Sequence, residues 1–324
     1  MFFRGQTIGK YKILSALGSG GFGTVYLAED TWIDKKVALK VPHRQSVNFG
    51  ELLKEPRLLA SLSHPNIVSV LTAEKQDNIF FIVMEYVTGE SLEAIIARDG
   101  AIELPRALDY TCQICNAVDY AHSQGVIHRD LRPANVLVSD TGMIKVADFG
   151  TSRFLELAAL GTTVIGSPPY MAPEQFHGRA TFASDIYSLG VTMYQMMTGS
   201  LPYQTPAPAD IERLLSGDLV PPPRTRNARM PQRINDIIMK AMAPDVEARY
   251  PRASELLDDL LRAADRTPAR LSAEPQPVAV PVAPEPHATP WLKPRETPQP
   301  RFCWHCRKPL HARSDRCPFC GEAQ

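Results

Sequence analysis

The chain has 324 residues, 44% of them hydrophobic, which is enough apolar material for a large core and, by length, for about two domains of ordinary size. Lys plus Arg and Asp plus Glu both number 35, so the formal net charge is zero and no global pull toward nucleic acid or an anionic membrane is expected. The opening Met1-Phe2-Phe3-Arg4 turns polar without the apolar stretch of a secretory leader. Later apolar runs such as Ile79 to Met84 are strand-sized, so a cytoplasmic protein with no membrane span is expected.

After a short lead over residues 1–10, strand-like runs come first. They are Tyr11 to Leu14, Thr24 to Leu27, Lys36 to Leu39, Ile67 to Leu71 and Phe80 to Met84, β-branched and aromatic and separated by Gly, Asp and polar residues. From Leu104 the spacing becomes helical. Leu108, Cys112, Cys115 and His122 fall on one predicted face, as do Ile186, Leu189, Met193 and Met197. Strands first and helices later predict an α+β domain of two lobes over residues 11–265. From residue 266 to 300 the texture changes, with prolines from Pro275 through Pro300 among Ala, Val, Glu and Thr. That composition predicts an extended Pro-rich linker. Residues 301–324 form a small cysteine-rich module.

Within the large domain, Gly18, Gly20 and Gly23 make G-x-G-x-x-G between two predicted strands. Glycines let backbone N–H groups approach phosphate oxygens closely. A dinucleotide-binding turn would need a helix directly after the glycines, and a strand follows instead. Lys40 ends the apolar run Val37-Ala38-Leu39, a point charge at the edge of a dry cleft. Further along stand His128-Arg129-Asp130-Leu131-Arg132-Pro133-Ala134-Asn135, Asp148-Phe149-Gly150 and Ala172-Pro173-Glu174.

In order and spacing these motifs resemble the eukaryotic-type protein kinase family, closest in style to bacterial serine/threonine kinases, over about Tyr11 to Arg262. The resemblance implies a two-lobed fold with a β-rich N-lobe and an α-rich C-lobe. It also implies transfer of the γ-phosphoryl group of ATP to serine or threonine hydroxyls of proteins. In that scheme Lys40 holds the α- and β-phosphates, Glu55 pairs with Lys40, and Asp130 accepts the substrate hydroxyl proton. Arg132 adds charge near the transferring phosphate, and Asn135 and Asp148 bind Mg²⁺ or Mn²⁺ through hard oxygens. Leu17, Val25, Ala38 and Leu137 flank the adenine, Met84 backs the pocket, and the backbone of Glu85 and Val87 bonds the adenine edge. Glu174 is expected to pair with Arg249, and Asp185 to bond the backbone around His128 and Arg129. Thr162 and Thr163, between Asp148 and Glu174, are the candidate regulatory phosphosites, with self-association as the route to trans-autophosphorylation.

Two departures bear on the chemistry. The family's serine/threonine members usually carry Lys where this chain has Arg132, and some tyrosine kinases place Arg there. Pro133 and the Gly166-Ser167-Pro168-Pro169-Tyr170-Met171 segment favour serine/threonine, with Ser167 expected against Asp130. Pro56 follows Glu55 directly, so it either kinks a helix or lies in a helix's first turn.

The cysteines are Cys112, Cys115, Cys303, Cys306, Cys317 and Cys320. Cys112 and Cys115 are read as core residues in preference to a redox pair. The last four form C-x-x-C, a short loop and C-x-x-C, resembling a zinc ribbon. Four thiolates there suit a structural Zn²⁺, with two disulfides as the alternative. Two other functions compete with catalysis. One is a pseudokinase scaffold recruiting partners through the linker and ribbon. The other is nucleic-acid binding by the ribbon's Arg301, Arg307, Lys308, Arg313 and Arg316, for which a solvated basic face is the commoner explanation.

Overall fold

The computed structural model describes residues 2–21, 23–43, 50, 53–149, 167–204, 210–265, 301–302, 309–310 and 323. Six strands make the first layer: β1 (Thr7–Ile8), β2 (Tyr11–Gly20), β3 (Gly23–Asp30), β4 (Lys35–Pro42), β5 (Val70–Gln76) and β6 (Ile79–Glu85). They are antiparallel in the order β1-β2-β3-β4-β6-β5.

Strand alternation sorts the residues of this sheet. Val37 and Leu39 join Tyr11, Ile13, Tyr26, Phe81 and Val83 in one cluster, whereas Ala38 joins Phe80, Ile82 and Met84 in another. Lys40 stands two residues beyond Ala38 on the same strand, so the pleat carries it to the Ala38 and Met84 face. It pairs in register with Val25 on β3 and Ile82 on β6.

The predicted strand from Ile67 to Leu71 is displaced. The sheet strand begins at Val70 and runs through polar Glu74, Lys75 and Gln76. As the sheet's edge, β5 tolerates polar residues that a central strand would not. Ile67 is instead buried in an isolated parallel bridge with Val146.

Helix α1 (Lys54–Ala60) places Pro56 third, inside the first turn. Backbone N–H groups there have no intrahelical partner, so proline removes nothing and no kink is needed. A three-stranded sheet follows, β7 (Gly89–Ser91), β8 (Val136–Ser139) and β9 (Ile144–Val146), in the order β7-β8-β9. Helix α2 (Leu92–Asp99) is capped by Ser91, whose Oγ accepts from the Ala94 N–H at 3.1 Å.

The rest of this lobe is helical: α3 (Leu104–Ser123), α4 (Phe182–Thr198), α5 (Asp210–Ser216), α6 (Gln232–Ala241) and α7 (Ala253–Asp265). The buried stripe of α3 runs Ala107, Thr111, Ile114, Val118 and Ala121. It is offset from the predicted face, of which Cys115 is fully buried while Leu108, Cys112 and His122 are half-buried. Helices α4 and α7 both pack against α3. Burial pushes the Cys115 thiol well up, away from reactivity. Helix α4 is buried on every side from Ser184 to Tyr194 and forms the lobe's axis.

The chain divides into two units, residues 1–269 and 270–324. In the second, β10 (Arg301–Phe302) pairs antiparallel with β11 (Pro309–Leu310), with Arg301 opposite Leu310. Residues 266–300 and Cys303, Cys306, Cys317 and Cys320 lie outside the described residues, as do Thr162 and Thr163. Among the described residues no helix is long and apolar enough to cross a membrane.

Candidate active site

The glycine motif is a β-hairpin. Strands β2 and β3 stay paired to its tip, with Gly18 opposite Val25, Ser19 opposite Thr24 and Gly20 opposite Gly23. The glycines serve different ends. A Cβ on Gly18 or Gly20 would meet nothing within 4 Å, so their bare backbone leaves open space on the hairpin. A Cβ on Gly23 would sit 2.4 Å from the carbonyl oxygen of Val41, so this glycine permits the approach of β4. At the tip the Gly20 carbonyl lies 2.9 Å from His43 Nε2.

Behind the hairpin, Lys40 is 4% exposed and its ammonium donates to Asp148 Oδ1 at 2.8 Å. Burial favours the neutral form of Asp148, but the charge and hydrogen bond of Lys40, with a contribution from His128, hold its carboxyl below the usual range. The carboxylate is therefore ionised, as a ligand for a hard cation must be. Asp148 has φ +61° and Arg129 φ +70°, both in the left-handed region. Such backbone costs about 1–3 kcal/mol per residue and persists where surrounding bonds over-determine it.

Those bonds are visible for Arg129. Asp185, fully buried at the start of α4, accepts from the His128 N–H at 2.7 Å and the Arg129 N–H at 2.8 Å. The Nε2 of His122 lies 2.8 Å from the same carboxylate. The Arg129 carbonyl accepts from Gln175 Nε2 at 3.2 Å. On the Asp148 side, His128 Nε2 lies 2.9 Å from the Ala147 carbonyl, and its ring packs on the buried Phe149 at 4.6 Å between centroids.

Between these anchors sits Asp130. The Asn135 amide nitrogen donates to its carbonyl at 2.8 Å and to its Oδ2 at 3.1 Å. With that nitrogen committed, the Asn135 amide oxygen is the atom left to coordinate. Asp130 Oδ1 is buried and has no hydrogen-bond partner among the described residues. A buried carboxylate oxygen without a donor is costly and marks a place where function overrides stability.

Two further contacts fix the segment downstream. Glu174 and Arg249 form a bidentate pair, Oε1 to Nη1 at 2.7 Å and Oε2 to Nη2 at 2.8 Å. Ser184 Oγ donates to Glu174 Oε1 at 2.6 Å, and Arg249 also donates to the carbonyls of Ala243, Ala183 and Pro244. Burial works against the charge on Glu174, yet the Arg249 and Ser184 bonds keep its carboxyl below the usual range. The Ser167 hydroxyl accepts from Arg132 Nη1 at 3.2 Å. Ser167 therefore reaches the His128–Asn135 segment through Arg132, and the expected contact with Asp130 does not form. The long forked guanidinium spans a gap that a shorter contact would not.

Of the residues expected from sequence, Lys40, Asp130, Arg132, Asn135 and Asp148 thus converge. Val25, Ala38 and Met84 share one apolar cluster. Leu137 is half-buried on β8, opposite Lys145 of β9, and Leu17 is exposed on the hairpin. Glu55 falls within α1, and its side chain lies outside the described residues. Sequence reasoning missed His43, Gln175 and Lys145. His43 and Gln175 stand in short stretches with no periodic signal and Lys145 on the outward side of a short strand, and only the folded chain shows what each touches.

The fold and this constellation define a protein of two lobes, a β-sheet lobe that supplies Lys40 and a mostly helical lobe that supplies Asp130, Asn135 and Asp148. The family model of the protein kinase domain matches residues 11–274, and the chain belongs to that family. Among its relatives, the serine/threonine-protein kinase PrkC of Bacillus subtilis is 37% identical over 264 residues, covering 79% of this chain and 41% of PrkC. The serine/threonine-protein kinase PknB of Mycolicibacterium smegmatis is 35% identical over 267 residues, covering 78% of this chain and 43% of PknB. The chain thus spans about two fifths of the length of these curated relatives. Among solved structures, that of Rad53 1–466 in complex with AMP-PNP matches with a TM-score of 0.67 at 26% identity, covering 77% of this chain and 64% of Rad53 1–466.

Proposed function

We propose that the chain is an active serine/threonine protein kinase that moves the γ-phosphoryl group of ATP to protein hydroxyls. The observation that carries this reading is the convergence of an ionised Asp148 on Lys40 with a buried, donor-free oxygen on Asp130. Phosphoryl transfer needs little covalent chemistry from the protein; it needs charge neutralised and a hydroxyl placed in line. Gly18 and Gly20 admit the phosphates, and Lys40 supplies a buried cation to them. Asp130 orients the incoming hydroxyl and takes its proton. Arg132 lies beside the γ-phosphate, and its bond to Ser167 aligns the substrate-facing segment. Val25, Ala38 and Met84 receive the adenine, with Leu17 and Leu137 at the rims and the Glu85 and Val87 backbone at its edge. Asp148 and the Asn135 amide oxygen would hold Mg²⁺, which neutralises triphosphate charge when bound. The intact set disfavours a pseudokinase scaffold.

Thr162 and Thr163 are proposed as autophosphorylation sites, supported by their place between Asp148 and Glu174 and by the cation of Arg129 beside Asp130. A single experiment tests the catalytic reading: incubation with labelled ATP and Mg²⁺, followed by phosphosite mapping. Wild type should incorporate label on serine or threonine. Asp130→Asn and Lys40→Met should each lose about a hundredfold or more while their melting curves stay wild-type-like. Wild-type turnover by either variant sinks the assignment.

The proposed structural Zn²⁺ belongs to Cys303, Cys306, Cys317 and Cys320, supported by their spacing and by the β10–β11 hairpin that brackets the first pair. Metal analysis of the full chain under reducing conditions should give about one zinc per chain; none ends the idea.

A further inference from the structure

Glu85, the last residue of β6, makes three bonds that converge from different directions. Its Oε1 accepts from Lys145 Nζ at 2.7 Å and from the Ser69 N–H at 2.8 Å. Its own N–H donates to the Ser69 carbonyl at 3.0 Å. The ion pair is shielded, with the lysine side chain 15% and the glutamate 26% exposed. Both charges are thus held in one geometry rather than waving in solvent, and a charge-assisted bond in such surroundings is stronger than a surface pair.

The far end of this contact is tied to the chemistry. Lys145 lies on β9, three residues before Asp148. Val146 of the same strand bridges to Ile67, accepts from the Val68 N–H at 2.9 Å and donates to the Asn66 carbonyl at 2.8 Å. The Ala147 N–H donates to the Asn135 carbonyl at 2.8 Å. Residues 66–69 are therefore stitched to β9 along one side and to Glu85 at the end. The path from Glu85 through Lys145 to Asp148 is short and bonded throughout.

We infer that Lys145 and Glu85 form a strut that sets the distance between the adenine edge of the cleft and the metal-binding carboxylate of Asp148. Lys145 is then a positioning residue for the triphosphate. This rests on the kinase reading above. A nucleoside needs only the adenine edge and the apolar walls, whereas Mg·ATP must satisfy that edge and Asp148 at once. Loosening the strut therefore costs Mg·ATP and spares the nucleoside.

The test measures binding of adenosine and of Mg·ATP to the full chain by calorimetry, beside phosphoryl transfer. Lys145→Met keeps the apolar stem and removes the charge. Its Kd for adenosine should stay within about twofold of wild type, while its Kd for Mg·ATP rises about tenfold, the worth of one charge-assisted bond. Lys145→Arg should restore most of that loss. An equal loss for both ligands, no loss for either, or no rescue by arginine overturns the inference. Should Lys145→Met fail to fold, Lys145→Gln carries the same expectation. A wild type that binds Mg·ATP but transfers nothing defeats the kinase reading, and the ratio of the two affinities still decides the strut.

Discussion

The glycine hairpin and the segment from His128 to Asn135 both belong to the proposed kinase site, and they are built on opposite plans. The hairpin is held by its own strand pairing, by one histidine contact at its tip and by the close packing of Gly23 on Val41. Its outward side is open. The Asp130 segment is backed by a buried carboxylate, a glutamine and an asparagine, and it carries a residue of unfavourable φ. On the proposed kinase reading the contrast has a reason. A group that takes a proton must be in place before the substrate arrives, and rigid support supplies that. A loop that covers a nucleotide must let it in and out, so it belongs to the weakly held part of the molecule.

The largest expected effect breaks the supported side. Asp185→Ala leaves two buried backbone N–H groups and His122 without their acceptor. Unfolding by urea should show a loss of about 5 kcal/mol, on the basis of about 1–3 kcal/mol per abandoned group. Activity of whatever remains folded should fall as well, because Arg129 is free to relax from its left-handed backbone. Retained stability with full activity would show that the buried carboxylate does not support the loop.

Next comes the Glu174 and Arg249 pair, where pH sharpens the comparison. Glu174→Gln leaves the Arg249 charge buried without its counterion and should cost about 3 kcal/mol at neutral pH. The folded-state pKa of Glu174 lies below its ordinary value of 4.5, so its contribution is fully present above that value. That contribution is lost as pH falls through the lowered folded pKa. The stability gap between wild type and variant should therefore be constant near neutrality and close in acid. A gap that persists unchanged in acid would remove the charge from the explanation.

The smallest effects fall on the hairpin. Gly23→Ala forces a methyl against the Val41 carbonyl and should cost about 2 kcal/mol by thermal melting. Gly20→Ala has open space and should stay within about 0.5 kcal/mol of wild type, with any effect appearing in the KM for ATP. Equal destabilisation by the two would erase the distinction drawn between these glycines.

Much of this was legible before any coordinates. Lys40, Asp130, Asn135 and Asp148 stand in motifs that resemble the protein kinase family, and the partners which that resemblance implies for Glu174 and Asp185 are the ones the structure shows. What escaped has a common cause. The offset of β5 follows from its position at the sheet edge, which no local pattern encodes. The rotation of α3's buried face reflects packing against α4 and α7, with Ala107 and Ala121 buried and Leu108 half-buried. Ser167 meets Arg132 instead of Asp130 because of side-chain reach, and Lys145 pairs with Glu85, 60 residues away. In each case a long-range neighbour decided, and a single chain's periodicity carries no signal of it.

The carboxylate of Asp185 has one more consequence, in the rate at which the backbone gives up its hydrogens. The amides of His128 and Arg129 lie in a segment that belongs to no helix or strand, where exchange with solvent would ordinarily be fast. Each is donated into the first turn of a helix buried on every side from Ser184 to Tyr194. Their exchange is therefore gated by opening of the helical lobe itself, and these two amides belong with the slowest in the protein although their own segment is irregular.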